Sequence, residues 1–452
     1  MKKLILVLAL LAPAWGAWAQ YQETPPESNG TLMLTLEDAL KIALSENTSV
    51  KVADLEIKRT EYAKRGTYAS LFPQVSGSGS FQRTIKKQVM YMGFGGAATE
   101  GGIEIGRSNT WSAGLNATMP VVNAQLWESI CMSADQVELA VEQARESRLG
   151  TVTSVKQAFY AVLLAKESFE VYKVVYENAL ENYKQTELKY NAQKAPELDL
   201  ARAKSTVAAA IPNVYNAESG ILLSLWQLKA VMGIDLDRDI DVAGSLDDYA
   251  EVMFHDLYEG ENASLERNTT LRQLDLQAEQ LAKTVRSQQF AYIPTLSLNF
   301  TYSVNAMADN FNFNEYRWTP YSYVGLSLSI PIFSGGQRYY AIKQTRTQAS
   351  ELSLQRENTE RQLRIGIRQS LQTMETAMKT YDSAREAVQS AEKAYDIAAK
   401  SYKVGRSTLT DLNNTELTLT QTRLQAAQAV YNFVVAKASL EQTLGYDFTA
   451  EE

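Results

Sequence analysis

Cysteine and histidine are almost missing from this sequence. Cys131 and His255 are single copies in 452 residues. A lone cysteine cannot form an internal disulfide. One histidine without a cysteine cluster provides no nitrogen–sulfur ligand set for zinc. His255 lies in the poorly patterned segment 236–262, where it reads as a surface residue. The many aspartates and glutamates fall on helical stretches and read as solvated faces, so no catalytic residue, metal or cofactor is assigned and the chain is not read as an enzyme. Basic charge is also short, at 44 Lys and Arg against 52 Asp and Glu. An acidic surface repels phosphate, which excludes nucleic acid as a partner. Beyond the first 20 residues no apolar run reaches about 18, so no transmembrane helix is available. A β-barrel is then the one way left for the chain to cross a bilayer.

Those first residues give the compartment. Met1, Lys2 and Lys3 form a basic start, Leu4 to Ala14 an apolar run, and "AWA" before Gln20 fits a cleavage site. Residues 1–19 read as a Sec signal peptide, and the small residues before Gln20 favour cleavage over an uncleaved anchor helix. Cleavage takes Lys2 and Lys3 with it, so the net charge moves from −8 to −10.

What the chain has in abundance is repetition. "YNAQKAPELDL" (190–200) matches "YKVGRSTLTDL" (402–412), and "MGID" (232–235) matches "LGYD" (444–447), both at an offset of 212. "ENTSV" (46–50) pairs with "RNTTL" (267–271), and Pro73 with Pro294, at 221. Pro120 and Pro331 differ by 211, so the first half carries an insert between its paired prolines, around "GFGGAATEGG". A tandem duplication follows: 20–235 with strands at about 73–90 and 108–120, a linking segment 236–262, and 263–452 with strands at about 294–305 and 318–331.

Four stretches, "PQVSGSGSFQ" (73–82) among them, alternate with period two, as strands do. In "WSAGLNATMP" (111–120) Trp111, Ala113, Leu115, Ala117 and Met119 share a face, opposite Ser112, Gly114, Asn116 and Thr118. "PTLSLNFTYSV" (294–304) and "YSYVGLSLSIP" (321–331) repeat the pattern, with Leu326 and Leu328 on the apolar face. About ten residues of such alternation matches a tilted membrane strand, apolar side to lipid and polar side to a lumen. Tyr91, Phe94, Trp111, Tyr316, Trp318, Tyr321 and Tyr323 crowd the strand ends, as an interfacial girdle would. A soluble sandwich wetted on its polar face is the alternative.

Helices argue for the membrane reading. From Ala124 to Asn191 there is no proline, and apolar or small residues recur in steps of three and four at Trp127, Ile130, Ala134, Val137, Val141, Ala144, Val152, Val155, Phe159 and Val162. That is a coiled-coil seam, and 68 residues of it would span about 100 Å. Gln337 to Lys403 repeats the design, while Thr35–Leu71 and Pro196–Val231 are shorter helices that would together match a long one. Four strands cannot close a barrel, and open edges do not survive in lipid, so several copies must assemble.

The signal peptide, the doubled plan, "PQVSGSGSF" with "PTLSLNFTY", "IPIFSGGQR" (330–338) and "YKVGRSTLTDL" together resemble the TolC family of outer-membrane efflux proteins, over roughly residues 32–448. The resemblance implies a mainly α fold with a membrane β-barrel portion. It implies a homotrimer whose 12-stranded barrel, in the outer membrane of a Gram-negative bacterium, continues as a long periplasmic α-helical barrel. It implies docking to a periplasmic adaptor (membrane fusion protein) and an inner-membrane RND or ABC pump. Trp111, Leu115, Leu326 and Leu328 would then face outer-membrane lipid. The turn Val404-Gly405-Arg406, with Ser407, resembles the tip that adaptor hairpins grip, and Lys194 and Ala195 belong to its repeat partner. Asp411 falls where the family has an acidic constriction, Asn414 where some members have a second aspartate, and Asp199 and Tyr402 at positions that latch helix pairs closed. The family's latch arginine aligns with Ser407. On the residues alone, Asp199 and Asp411 are equally helix-start charges, and Gly405 a left-handed turn residue. The function implied is the exit duct of a tripartite efflux pump. A type I secretion component and a structural periplasmic coiled coil are the alternatives.

Overall fold

The computed structural model describes residues 32–91, 93–94, 97–98, 102–253 and 264–447. The signal peptide with its cleavage site, His255 and the Phe94 side chain lie outside the described residues. Among these residues no helix is long and apolar enough to cross a membrane.

Two helices dominate. α3 (Ala124–Asn191) runs for 68 residues and α7 (Gln337–Lys403) for 67, each about 100 Å long. Each carries a shorter antiparallel partner, α4 (Glu197–Met232) and α8 (Leu409–Leu444). Along α7 the inward positions Met374, Ala377, Tyr381, Ala384, Val388, Ala391, Tyr395, Ala398 and Tyr402 step alternately by three and four. Alanines every seventh residue let the neighbouring helix approach closely, and the 3.5-residue period imposes a left-handed supercoil. The α3 seam is buried from Ala144 through Val152, Val155, Phe159 and Val162, but Trp127 and Val141 are exposed. Nearer the sheet α3 instead buries Glu128 and Asp135 against Arg286 and Lys283 of α6 (Thr269–Phe290), so ion pairs replace the apolar seam there.

The stretch 35–71 is not one helix. It divides at Asn47 into α1 (Leu36–Glu46) and α2 (Thr48–Ala69), because the Asn47 side chain caps α2 by accepting from Ser49 N at 2.7 Å. Its amide donates to Val231 O at 2.6 Å, so α2 and α4 stack end to end beside α3. The second half repeats the joint: Asn268 caps α6 and donates to Thr443 O at 2.7 Å, stacking α6 on α8. The glycine ending each lower helix is left-handed, Gly233 at φ 77° and Gly445 at φ 74°. A Cβ on Gly233 would lie 2.8 Å from Glu46 O, and one on Gly445 2.1 Å from Arg267 O. The two repeated motif pairs thus meet in space and splice the short helices.

The main core lies at mid-height, where α3 is buried almost all round. Phe159, Val155 and Val162 pack with Leu40 of α1, Leu228 and Met232 of α4, and Phe433 and Leu440 of α8. β1 (Leu32–Leu34) pairs in parallel with β8 (Ile240–Val242) and, with α5 (Asp247–Val252), flanks this core. Each fully buried large side chain contributes about 1.5–3 kcal/mol.

At one end β2 (Gln74–Arg83), β7 (Asn109–Val122), β9 (Thr295–Ala308) and β10 (Thr319–Ser329) form an antiparallel sheet in the order β10-β9-β7-β2. The insert adds β3 (Gln88–Met90) paired with β6 (Ile103–Ile105), and β4 (Gly93–Phe94) paired with β5 (Ala97–Ala98), outside that sheet. β7 runs on past Pro120 through a register shift between Pro120 and Val122, a place where the missing N–H does no harm.

Candidate functional site

The four-stranded sheet has two chemically distinct faces. In register, Ser80 faces Ser112, which faces Asn305; Asn116 faces Thr301; and Thr118 faces Asn299, which faces Gly325. These side chains cross-link the strands: Ser80 Oγ lies 2.7 Å from Ser112 Oγ, Thr301 donates to Asn116 at 2.9 Å, and Asn299 donates to Ser327 at 2.9 Å. On the other face lie Trp111, Leu115, Phe300, Leu298, Leu326 and Leu328. Leu326 is 67% and Leu328 61% exposed, so this apolar wall is uncovered in the single chain. Trp111 is half-buried, its ring 4.3 Å from Phe81 and 5.2 Å from Phe313. Its indole N–H has no partner among the described residues.

The register corrects the girdle. Tyr321 pairs with Ser303 and Tyr323 with Thr301, so both tyrosines stand on the polar face. Nearness to the strand ends places them with Trp111, but the two-residue period puts them on the opposite face. Tyr316 is no interfacial anchor either: it is buried, and its hydroxyl donates to Asn310 O at 2.5 Å.

At the far end of the helices two turns form a tip. After α7, Gly405 takes φ 75° and Arg406 N donates back to Ser401 O at 2.8 Å. After α3, Gln193 takes φ 58° and Lys194 N donates to Lys189 O at 2.7 Å. Both are helix-closing turns through a left-handed residue, which suits glycine and costs Gln193 some strain. Lys194, Val404 and Arg406 are exposed, while Ala195 and Ser407 are half-buried. Ser407 Oγ donates to Ala398 O at 3.4 Å, which spends the latch position on capping its own helix hairpin.

Asp411 starts α8 in a capping box. Its Oδ2 accepts from Thr408 Oγ1 at 2.6 Å and Thr408 N at 3.1 Å, while its own N–H donates to Thr408 Oγ1 at 3.1 Å. These bonds hold its carboxyl below the usual carboxylate range, and it stays exposed. Asp199 lies in the first turn of α4, half-buried, and Asn414 is exposed one turn beyond Asp411.

Tyr402 does not reach Asp199. Its hydroxyl lies 2.6 Å from Thr186 Oγ1 of α3, in a buried contact. The Thr186 proton goes to Asn182 O at 2.7 Å, so Tyr402 is the donor. Lys189 Nζ donates to Tyr402 O at 2.5 Å and sits 4.0 Å from its ring centre; burial lowers this lysine. Around them Ala203, Ala398, Leu409 and Leu412 make a small tip core that joins the α3–α4 hairpin to α7–α8. Thr186 and Lys189 escaped sequence reading because they lie more than 200 positions from Tyr402. Glu416 also escaped it. This α8 residue is buried, its Oε1 has no partner among the described residues, and burial pushes its carboxyl up to about 7 against the hydrogen bond from Asn178. Tyr395 of α7, one heptad before Tyr402, is held up at about 12, by burial first and then by the Glu416 charge.

The family described as "Outer membrane efflux protein" matches residues 39–234 and 262–446. Outer membrane protein TolC of Escherichia coli is 22% identical over 354 residues, 75% of this chain and 70% of that protein. The Campylobacter jejuni CmeC outer membrane channel superposes with a TM-score of 0.73 at 19% identity, over 98% of this chain and 92% of that one. The open state of the Neisseria gonorrhoeae MtrE outer membrane channel gives 0.69 at 16% identity, over 91% and 88%.

Proposed function

Because the chain belongs to the outer membrane efflux protein family, a family of transport components and not of enzymes, we propose that three copies form the exit duct of a tripartite efflux pump. The observation that carries the reading is the two-faced sheet with free edges at β10 and β2, continuous with helices of about 100 Å. An apolar wall such as Leu115, Leu326 and Leu328 belongs against lipid, and unpaired strand edges in lipid must find neighbours. Three copies supply twelve strands: the polar face then lines a water-filled pore, and the helices continue it through the periplasm. The leader, residues 1–19, would deliver the chain to that compartment.

The tip residues take roles in this duct. Lys194, Ala195, Val404, Gly405 and Arg406 present the surface for a periplasmic adaptor, with Ser407 holding the turn. Three Asp411 carboxylates ring the narrow end and favour cations, with Asn414 beside them adding no charge. Tyr402 holds the two hairpins of one chain together, and Asp199 stands at the start of the neighbouring helix. An inner-membrane RND or ABC transporter would feed the duct.

Arginine placed on each face in turn tests the barrel. Leu326→Arg should reduce assembled protein in the outer membrane, at about 2–4 kcal/mol if the position lies near the bilayer midplane. Ser327→Arg should assemble and alter conductance. Equal tolerance at both positions would reject the assignment of faces.

A further inference from the structure

The polar face of the sheet carries no Asp, Glu, Lys or Arg from Gln74 to Gln82, Thr110 to Thr118, Thr295 to Asn305 or Thr319 to Ser329. Within these stretches it is a wall of Ser, Thr, Asn, Gln and Gly with one departure; beyond them the face ends in Met307 opposite Thr110 and Pro120 opposite Ser297. Tyr321 and Tyr323, two residues apart on β10, stand on it with ring centres 5.7 Å apart. Their cross-strand neighbours are Ser303 and Thr301, too small to cover them, and the two residues remain 59% and 45% exposed. Neither hydroxyl has a hydrogen-bond partner among the described residues. The duplication does not require them: at the 211 offset of the paired prolines the first half has Thr110 and Ser112. Nor does a lipid-interface role, which belongs to the opposite face and to Phe81, Trp111 and Phe313.

We propose that Tyr321 and Tyr323 form a binding station for organic cations, such as quaternary ammonium or protonated aromatic amines, on the wall of the exit pore. The assignment rests on the trimeric duct proposed above, which brings three such pairs around one lumen near the end distal to the helices. An aromatic face attracts a cation within about 6 Å of its centre. No fixed charge on the surrounding wall competes with these rings, and a weakly hydrated organic cation gives up less to meet them than a small metal ion does. The station provides transient retention near the outlet, not a tight site.

Block by tetrabutylammonium in planar bilayers tests this, using trimers of the full mature chain. Wild-type channels should show reversible block. Y321S/Y323S should raise the blocking concentration about tenfold and each single serine variant about threefold, whereas Y321F/Y323F should stay within about twofold of wild type, because the ring and not the hydroxyl makes the contact. Block should persist in D411N. Unchanged block in the serine variants overturns the station, as does loss of block in the phenylalanine variant. Block abolished by D411N but not by the serine variants places the cation at the tip and overturns it too. A wild-type chain that forms no channel overturns the duct itself, a different result from a conducting pore that ignores its tyrosines.

Discussion

Glu416→Gln is the most quantitative perturbation the tip offers. Glu416 is buried on α8 beside Asn178 of α3 and Tyr395 of α7, and its carboxyl is pushed from 4.5 up to about 7 by burial. At about 1.4 kcal/mol per pH unit of displacement, ionising it inside the closed tip costs about 3 kcal/mol. The sign follows from the raised value. The folded state holds the proton more tightly than the open one, so the contribution is fully present below about pH 4.5, falls as pH rises to about 7, and is absent above. Glutamine keeps the shape and loses the charge. At pH 8 the variant should therefore hold the tip more firmly than wild type by about 3 kcal/mol, and at pH 5 by less than about 1 kcal/mol. Amide exchange over residues 409–420, compared between the two proteins at the same pH so that intrinsic rates cancel, reads this directly. Protection should rise on the order of a hundredfold at pH 8 and little at pH 5. Equal protection at both pH values would refute the burial of a carboxylate between the hairpins.

Four further substitutions probe the helix splice, the tip contact and the tip turn. Gly445→Ala and Gly405→Ala share nearly the same left-handed backbone, φ 74° and 75°, but only the first meets backbone, so Gly445→Ala should cost at least about 2 kcal/mol and Gly405→Ala about 1 kcal/mol by thermal unfolding; equal costs would dismiss the close helix splice. Tyr402→Phe removes the bond to Thr186 while Thr186 still reaches Asn182 O, so it should cost about 0.5–1.5 kcal/mol and raise the resting conductance; a channel no leakier than wild type would free Tyr402 of its closing role. Gly405→Gln imitates the tolerated Gln193 turn, so trimer level should hold while export in cells fails; normal export would remove this turn from the adaptor surface.

Much of this architecture is legible in the residues. The alternation from Trp111 to Met119 and from Leu326 to Leu328 marks both faces of the sheet, and the three-and-four steps mark the long helices. The repeated "ENTSV" and "RNTTL" hold the capping asparagines. Their use as splices with "MGID" and "LGYD" depends on helices that meet only in the fold, so the break at Asn47 was hidden inside an uninterrupted helical pattern. Pro120 reads as a stop but sits beside a bulge in β7, and Pro320 stands at the start of β10, where a missing ladder N–H costs least. The "TLTD" run that begins at Thr408 shows the capping box locally. The partners of Tyr402 and the burial of Glu416 arise from contacts between distant hairpins, which no local pattern encodes.

If three chains close one pore, native mass spectrometry of the complex extracted from outer membranes shows a single species of three mature chains, and that species opens discrete channels in a planar bilayer. A monodisperse monomer that retains its β-structure in detergent would contradict closure by three chains.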